Sequence, residues 1–188
     1  MTSLTNISFK DLKNSFLERE KSWPARCENY KKSKKLLDIC INEILKKSIN
    51  ISILPEKIRY KKMLCVVGPM KAGTTVIESI FDGHPDIFCT PPDSFLYGKH
   101  IRDFKHKDSG YLENILKFWL SKLLMSSGQS PFFLLGEDID PYVRFSSYVT
   151  SLYNQLSESD RYSMFDIVAS SLNSIVGNEK KEYKYLIE

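Results

Sequence analysis

No stretch of this chain approaches the ~18 consecutive apolar residues that a membrane-spanning helix needs. The opening residues, MTSLTNISFKDLKNS, have no apolar centre of the kind that marks a secretory signal. Both absences point to a cytoplasmic protein with no membrane span. Cysteine is sparse and scattered. Cys27, Cys40, Cys65 and Cys89 form no CxxC pair, and none has a histidine at metal-ligand spacing. No zinc centre is expected, and the thiols read as packing residues in a reducing compartment. The chain also lacks internal repeats and low-complexity tracts.

What is present is a globular composition. The 188 residues are 42% apolar and 27% charged, enough for one domain with a real core and too apolar for a disordered chain. The net charge of +4 is unevenly spread: residues 1–62 hold 15 Lys/Arg against 7 Asp/Glu, and the remainder holds 12 against 16. A basic N-terminal part attracts anions. Aromatic residues are not interleaved with its cations, as a single-strand binder would need, so solvated helix faces are expected and nucleic acid is not.

Apolar spacing sets out the elements. Ser8 with Asp11 three positions on reads as a capping box before Phe9, Leu12 and Phe16. Trp23-Pro24 reads as an interruption. Leu36, Leu37, Cys40, Ile41, Ile44 and Leu45 predict an amphipathic helix from about Asn29 to Ser48. The stretch NISILPEKIRYKK reads as a linker or short strand punctuated by Pro55. The run MLCVVG, 63–68, predicts a strand buried on both faces of a parallel sheet. A helix over 74–82 with Val76, Ile77 and Ile80 buried follows, and Gly83-His84-Pro85 ends it. DIFCT predicts a second short strand.

Further on, Leu112, Ile115, Leu116, Trp119, Leu120 and Leu123 predict a helix from Tyr111 to Met125. PFFLLG reads as a strand before the acidic turn EDIDP. A helix is expected from a Ser157 cap to Gly177, and YKYLIE as a closing strand. Strands alternating with helices predict an α/β fold: a helical extension over 1–60, then an α/β domain over 61–188.

The densest chemistry lies in VVGPMKAGTTVIESIFDGHPDIF, residues 66–88. A glycine-bounded turn between a strand and a helix lets backbone amides converge on an anion, and the helix N-terminus adds about half a positive charge. Gly68 and Gly73 fit the hinge positions, Thr74 and Thr75 open the helix, and Lys71 lies within the loop. The common triphosphatase loop places its lysine after the second glycine. Here Thr74 stands there, and no convincing strand ends in an aspartate for magnesium.

Lys71-Ala72-Gly73-Thr74-Thr75 after this apolar run, with His84-Pro85 downstream, resembles the 5′-phosphosulfate loop of sulfotransferases using 3′-phosphoadenosine 5′-phosphosulfate (PAPS). The similarity covers roughly residues 61–96. It implies a P-loop-like parallel sheet flanked by helices, and PAPS as donor co-substrate with no metal. It implies that Pro69, Met70, Lys71, Ala72, Gly73, Thr74 and Thr75 bind the donor, and that Lys71 stabilises the leaving oxygen. The acceptor would be a carbohydrate or small-molecule hydroxyl.

In glycan-type members a Lys-Glu pair after the second strand supplies the base. Pro92-Asp93 stands there, so Asp93 is either a shorter base or a plain turn residue. His84 reads as a turn residue before proline. The family's Arg and Ser for the 3′-phosphate are not found, which makes the sheet incomplete and predicts the N-terminal part of a longer sulfotransferase. Family membership and activity of this chain are separate expectations. Two alternatives stay open: an atypical P-loop kinase or NTPase, and a non-catalytic remnant or interaction module.

Overall fold

A computed structural model of the protein describes residue 11 and residues 23–64, 66, 74–81, 83–89, 110–124, 133–155, 164–176 and 182–187. In chain order these form α1 (Trp23–Lys46), β1 (Arg59–Leu64), α2 (Thr74–Phe81), β2 (Ile87–Cys89), α3 (Tyr111–Leu124), α4 (Asp140–Gln155), α5 (Met164–Ile175) and β3 (Glu182–Ile187). The strands make one open, all-parallel sheet in the order β1-β3-β2. The architecture is therefore α/β. The chain divides into two compact units, Met1–Asn50 with Asn114–Ser147, and Ile51–Glu113 with Tyr148–Glu188.

The first unit is helical. α1 buries Leu37, Cys40, Ile41 and Ile44, the stripe expected from its spacing. Its described span, Trp23–Lys46, includes Trp23-Pro24. The capping box at Ser8 lies outside the described residues. In α3, Ile115, Leu116, Trp119, Leu120 and Leu123 are buried as predicted.

The expected strand PFFLLG is corrected over its described residues: Phe133–Gly136 form a turn. Phe133 and Gly136 take positive φ values of 39° and 95°, which no strand accommodates. The Leu134 amide donates to the Leu123 carbonyl at 2.9 Å, satisfying an orphan acceptor at the end of α3. Tyr142 closes the turn from α4. Its hydroxyl accepts from the Leu135 amide at 3.3 Å and donates to the Gly136 carbonyl at 2.8 Å. Burial pushes this phenol well above its ordinary pKa.

Helix α4 has no counterpart among the expected elements. Its signal was present: Asp140-Pro141 is a sound helix start, and Tyr142, Phe145, Val149 and Leu152 recur at helical spacing and are all buried.

The sheet belongs to the second unit. β3 is its central strand, with Tyr183 and Leu186 buried at 5% and 0% exposure. β2 falls on the predicted DIFCT. The predicted MLCVVG strand is displaced: β1 runs over 59–64 and is not buried on both faces. Arg59, Lys61, Lys62 and Leu64 are exposed, and only Tyr60 and Met63 are half-buried. The apolar run predicts burial on both faces, but pairing places β1 at the margin, alongside β3 alone among the described strands.

Lysines on such a margin discourage edge-to-edge pairing between molecules. Replacing both, as Lys61→Thr with Lys62→Val, is expected to raise self-association, seen as a concentration-dependent mass in sedimentation. A mass equal to that of the wild type at all concentrations would remove that role from the two lysines.

Candidate functional site

Parallel pairing brings the carboxyl ends of the three strands to one edge, where Leu64, Ile187 and Cys89 share a register line. In open α/β sheets this is the edge at which ligands bind. The sequence leaving β1 here leads to Thr74, where α2 begins. Thr74 and Thr75 are thus the first two residues of a helix, as their position in the motif predicted. Pro69, Met70, Lys71, Ala72, Gly73 and Asp93 lie outside the described residues.

α2 has eight residues and no acidic side chain in its first turn. The first N–H groups of a helix have no intrahelical acceptor, and their partial positive charge is not offset here by a carboxylate within that turn. One expectation about α2 is overturned. Val76, Ile77 and Ile80 are 65%, 44% and 72% exposed rather than buried. Helical spacing shows which residues share a side, not what that side meets.

The turn after α2 matches its sequence. Gly83 takes φ 77°, a left-handed conformation suited to glycine, and the His84 amide donates to the Phe81 carbonyl at 3.1 Å. His84 Nδ1 accepts from the Asp86 amide at 3.1 Å, and its carbonyl accepts from Ile87 N–H at 3.1 Å. Its geometry is that of a turn residue at the amino end of β2. Asp86 in turn holds Lys184 of β3 at 2.7 Å, and this hydrogen bond and charge raise the lysine's pKa.

A second polar cluster, which sequence reasoning missed, lies in the same unit where the chain enters β1. Asp166 of α5, 7% exposed, accepts from the Tyr60 hydroxyl at 3.0 Å, and Lys57 Nζ lies 3.7 Å from its other oxygen. The Ile58 amide donates to Ser170 Oγ at 3.2 Å, and the Tyr183 hydroxyl donates to Asn173 Oδ1 at 2.7 Å. The available signal was three polar residues at i, i+4 and i+7 within the apolar MFDIVASSLNSI.

Burial, then the Asp166 charge and the hydrogen bond to it, push the Tyr60 phenol up from 10.0 to about 12. The folded state thus holds this proton more tightly than the unfolded state. The resulting stability is fully present below pH 10.0 and is lost as pH rises towards about 12. Denaturant midpoints for the wild type should fall across that window more steeply than those for Tyr60→Phe. Parallel curves would deny the coupling.

Among the described residues no group of three or more His, Cys, Asp or Glu could hold a metal ion, and no helix is long and apolar enough to cross a membrane. No protein-family model, curated protein or solved structure matches this chain. What fold and topology define is a class: an α/β protein with an open parallel sheet.

Proposed function

We propose that this chain is a sulfotransferase-type protein with a P-loop-like sheet that takes PAPS at the carboxyl edge and transfers its sulfuryl group to the hydroxyl of a carbohydrate or small molecule. One observation carries the reading. In sequence, the run Lys71-Ala72-Gly73-Thr74-Thr75 follows a parallel strand ending at Leu64 and runs into a helix, Thr74–Phe81. That is the setting in which backbone amides bind phosphate.

In the transfer, the bond between sulfur and the oxygen bridging to the 5′-phosphate breaks, and sulfur bonds to the acceptor oxygen. The electron pair stays on the bridging oxygen, giving 3′-phosphoadenosine 5′-phosphate. Lys71 donates to that oxygen as charge grows on it, and Gly73, Thr74 and Thr75 hold the 5′-phosphate. Asp93 takes the acceptor proton. Pro69, Met70 and Ala72 complete the loop around the donor.

Calorimetry with 3′-phosphoadenosine 5′-phosphate and with magnesium ATP tests the reading. Binding of the first and not the second is the expected result. Preference for magnesium ATP favours a P-loop kinase or NTPase, and binding of neither favours a non-catalytic module.

A further inference from the structure

From Asp166 to Asn173, no residue of α5 is more than 7% exposed, yet one side of the helix is polar. Asp166, Ser170 and Asn173 meet Tyr60, the Ile58 amide and Tyr183 respectively. Tyr60 and Tyr183 are register partners on β1 and β3, so their hydroxyls reach α5 from the same face of the sheet. Buried polar groups hold a geometry because their partners are costly to lose.

β1 itself holds little register information. Strand register is fixed firmly where one face is buried and weakly where it is not. Four of the six residues of β1 are exposed, and Tyr60 and Met63 are half-buried, so burial alone opposes a slip only slightly. A one-residue slip moves a strand by ~3.3 Å and exchanges its faces. Here it would also part Tyr60 from Asp166 and the Ile58 amide from Ser170, while those two acceptors stay buried. Ile58, 0% exposed, would leave its place as well.

We propose that Asp166, Ser170 and Asn173 form a register clamp that sets which residue of β1 faces which residue of β3, and thereby the height at which β1 ends at Leu64. Asn173 fixes β3 through Tyr183, and Asp166 and Ser170 fix β1 through Tyr60 and Ile58. The clamp lies at the amino end of β1, and its effect is felt at the carboxyl end. In its consequence for donor binding it rests on the sulfotransferase reading, under which Asp166 and Ser170 are positioning residues. A shift of ~3.3 Å far exceeds the displacement of about 1 Å that can cost a hundredfold in rate.

Cross-strand nuclear Overhauser contacts test the clamp without any ligand. The wild type should pair Tyr60 with Tyr183 and Lys62 with Tyr185. In Tyr60→Phe/Ser170→Ala, the β1 amides should broaden or double, with new contacts from Tyr185 to Lys61 or Met63. The pairing of Phe88 with Leu186 should persist, and Ser170→Thr alone, which keeps a hydroxyl acceptor, should retain the wild-type pattern.

A single unchanged register in the double variant overturns the clamp, whatever the loss of stability. Should the double variant fail to fold, Tyr60→Phe alone should show amide exchange in Arg59–Leu64 ahead of the rest of the sheet. Uniform exchange would then overturn it. A separate arm measures 3′-phosphoadenosine 5′-phosphate, whose affinity should fall in the double variant if β1 positions the donor. A wild type that does not bind it removes the sulfotransferase reading and leaves the clamp to be decided by the strand contacts.

Discussion

On the sulfotransferase reading proposed above, Lys71→Ala is expected to slow sulfuryl transfer from PAPS by about 10²–10³-fold, the loss typical of removing one charge-stabilising donor aimed at a transition state. The bridging oxygen carries little extra charge in the bound donor and much more as the sulfur–oxygen bond breaks. An ammonium group directed at it therefore acts mostly on the transition state, and the loss should appear in kcat rather than in KM. Affinity for 3′-phosphoadenosine 5′-phosphate should fall far less, because on that reading the 5′-phosphate would still be held by the loop amides with Thr74 and Thr75. Release of 3′-phosphoadenosine 5′-phosphate from PAPS, followed by chromatography with sugar and phenol acceptors, measures this directly. Equal rates for wild type and variant would take Lys71 out of the chemistry. Asp93→Asn should lower the same rate with a changed pH profile if Asp93 is the base, and should leave both alone if it is a turn residue.

Leu186→Ala should cost about 2–5 kcal/mol, the range for truncating a buried leucine. Leu186 is 0% exposed in the central strand and is paired with Met63 on β1 and Phe88 on β2. Removing it opens a cavity where all three strands meet, one residue before the line at which they end. The denaturant midpoint should drop with little change in slope, which separates lost stability from a changed unfolded state. Glu182, whose side chain is 77% exposed on the same strand, provides the contrast, since Glu182→Ala removes far less buried surface. Equal losses at both positions would mean that β3 is not the core strand of this sheet.

The candidate site was legible in part. The start of α2 at Thr74 and the turn at Gly83-His84 follow from local chemistry: a glycine-rich entry, hydroxyl residues at the first turn and a left-handed glycine beyond the last. The α1 and α3 stripes were legible for the same reason, since helical periodicity is written in consecutive residues. The Tyr60–Asp166 and Ile58–Ser170 bonds were not, because they join residues 106 and 112 positions apart.

By itself the sequence determined the α/β alternation, two of the three described strands, the helical stripes and the motif that leads into α2. These depend on spacing, capping and turn residues, which act over a few positions. Tertiary structure decided that β1 spans Arg59–Leu64 and is mostly exposed, that β3 enters between β1 and β2, and that Phe133–Gly136 turns rather than extends. It also turned Val76, Ile77 and Ile80 outward. The physical reason is common to all of these: periodicity tells which side chains share a side of an element, while pairing and burial depend on partners brought together from distant parts of the chain.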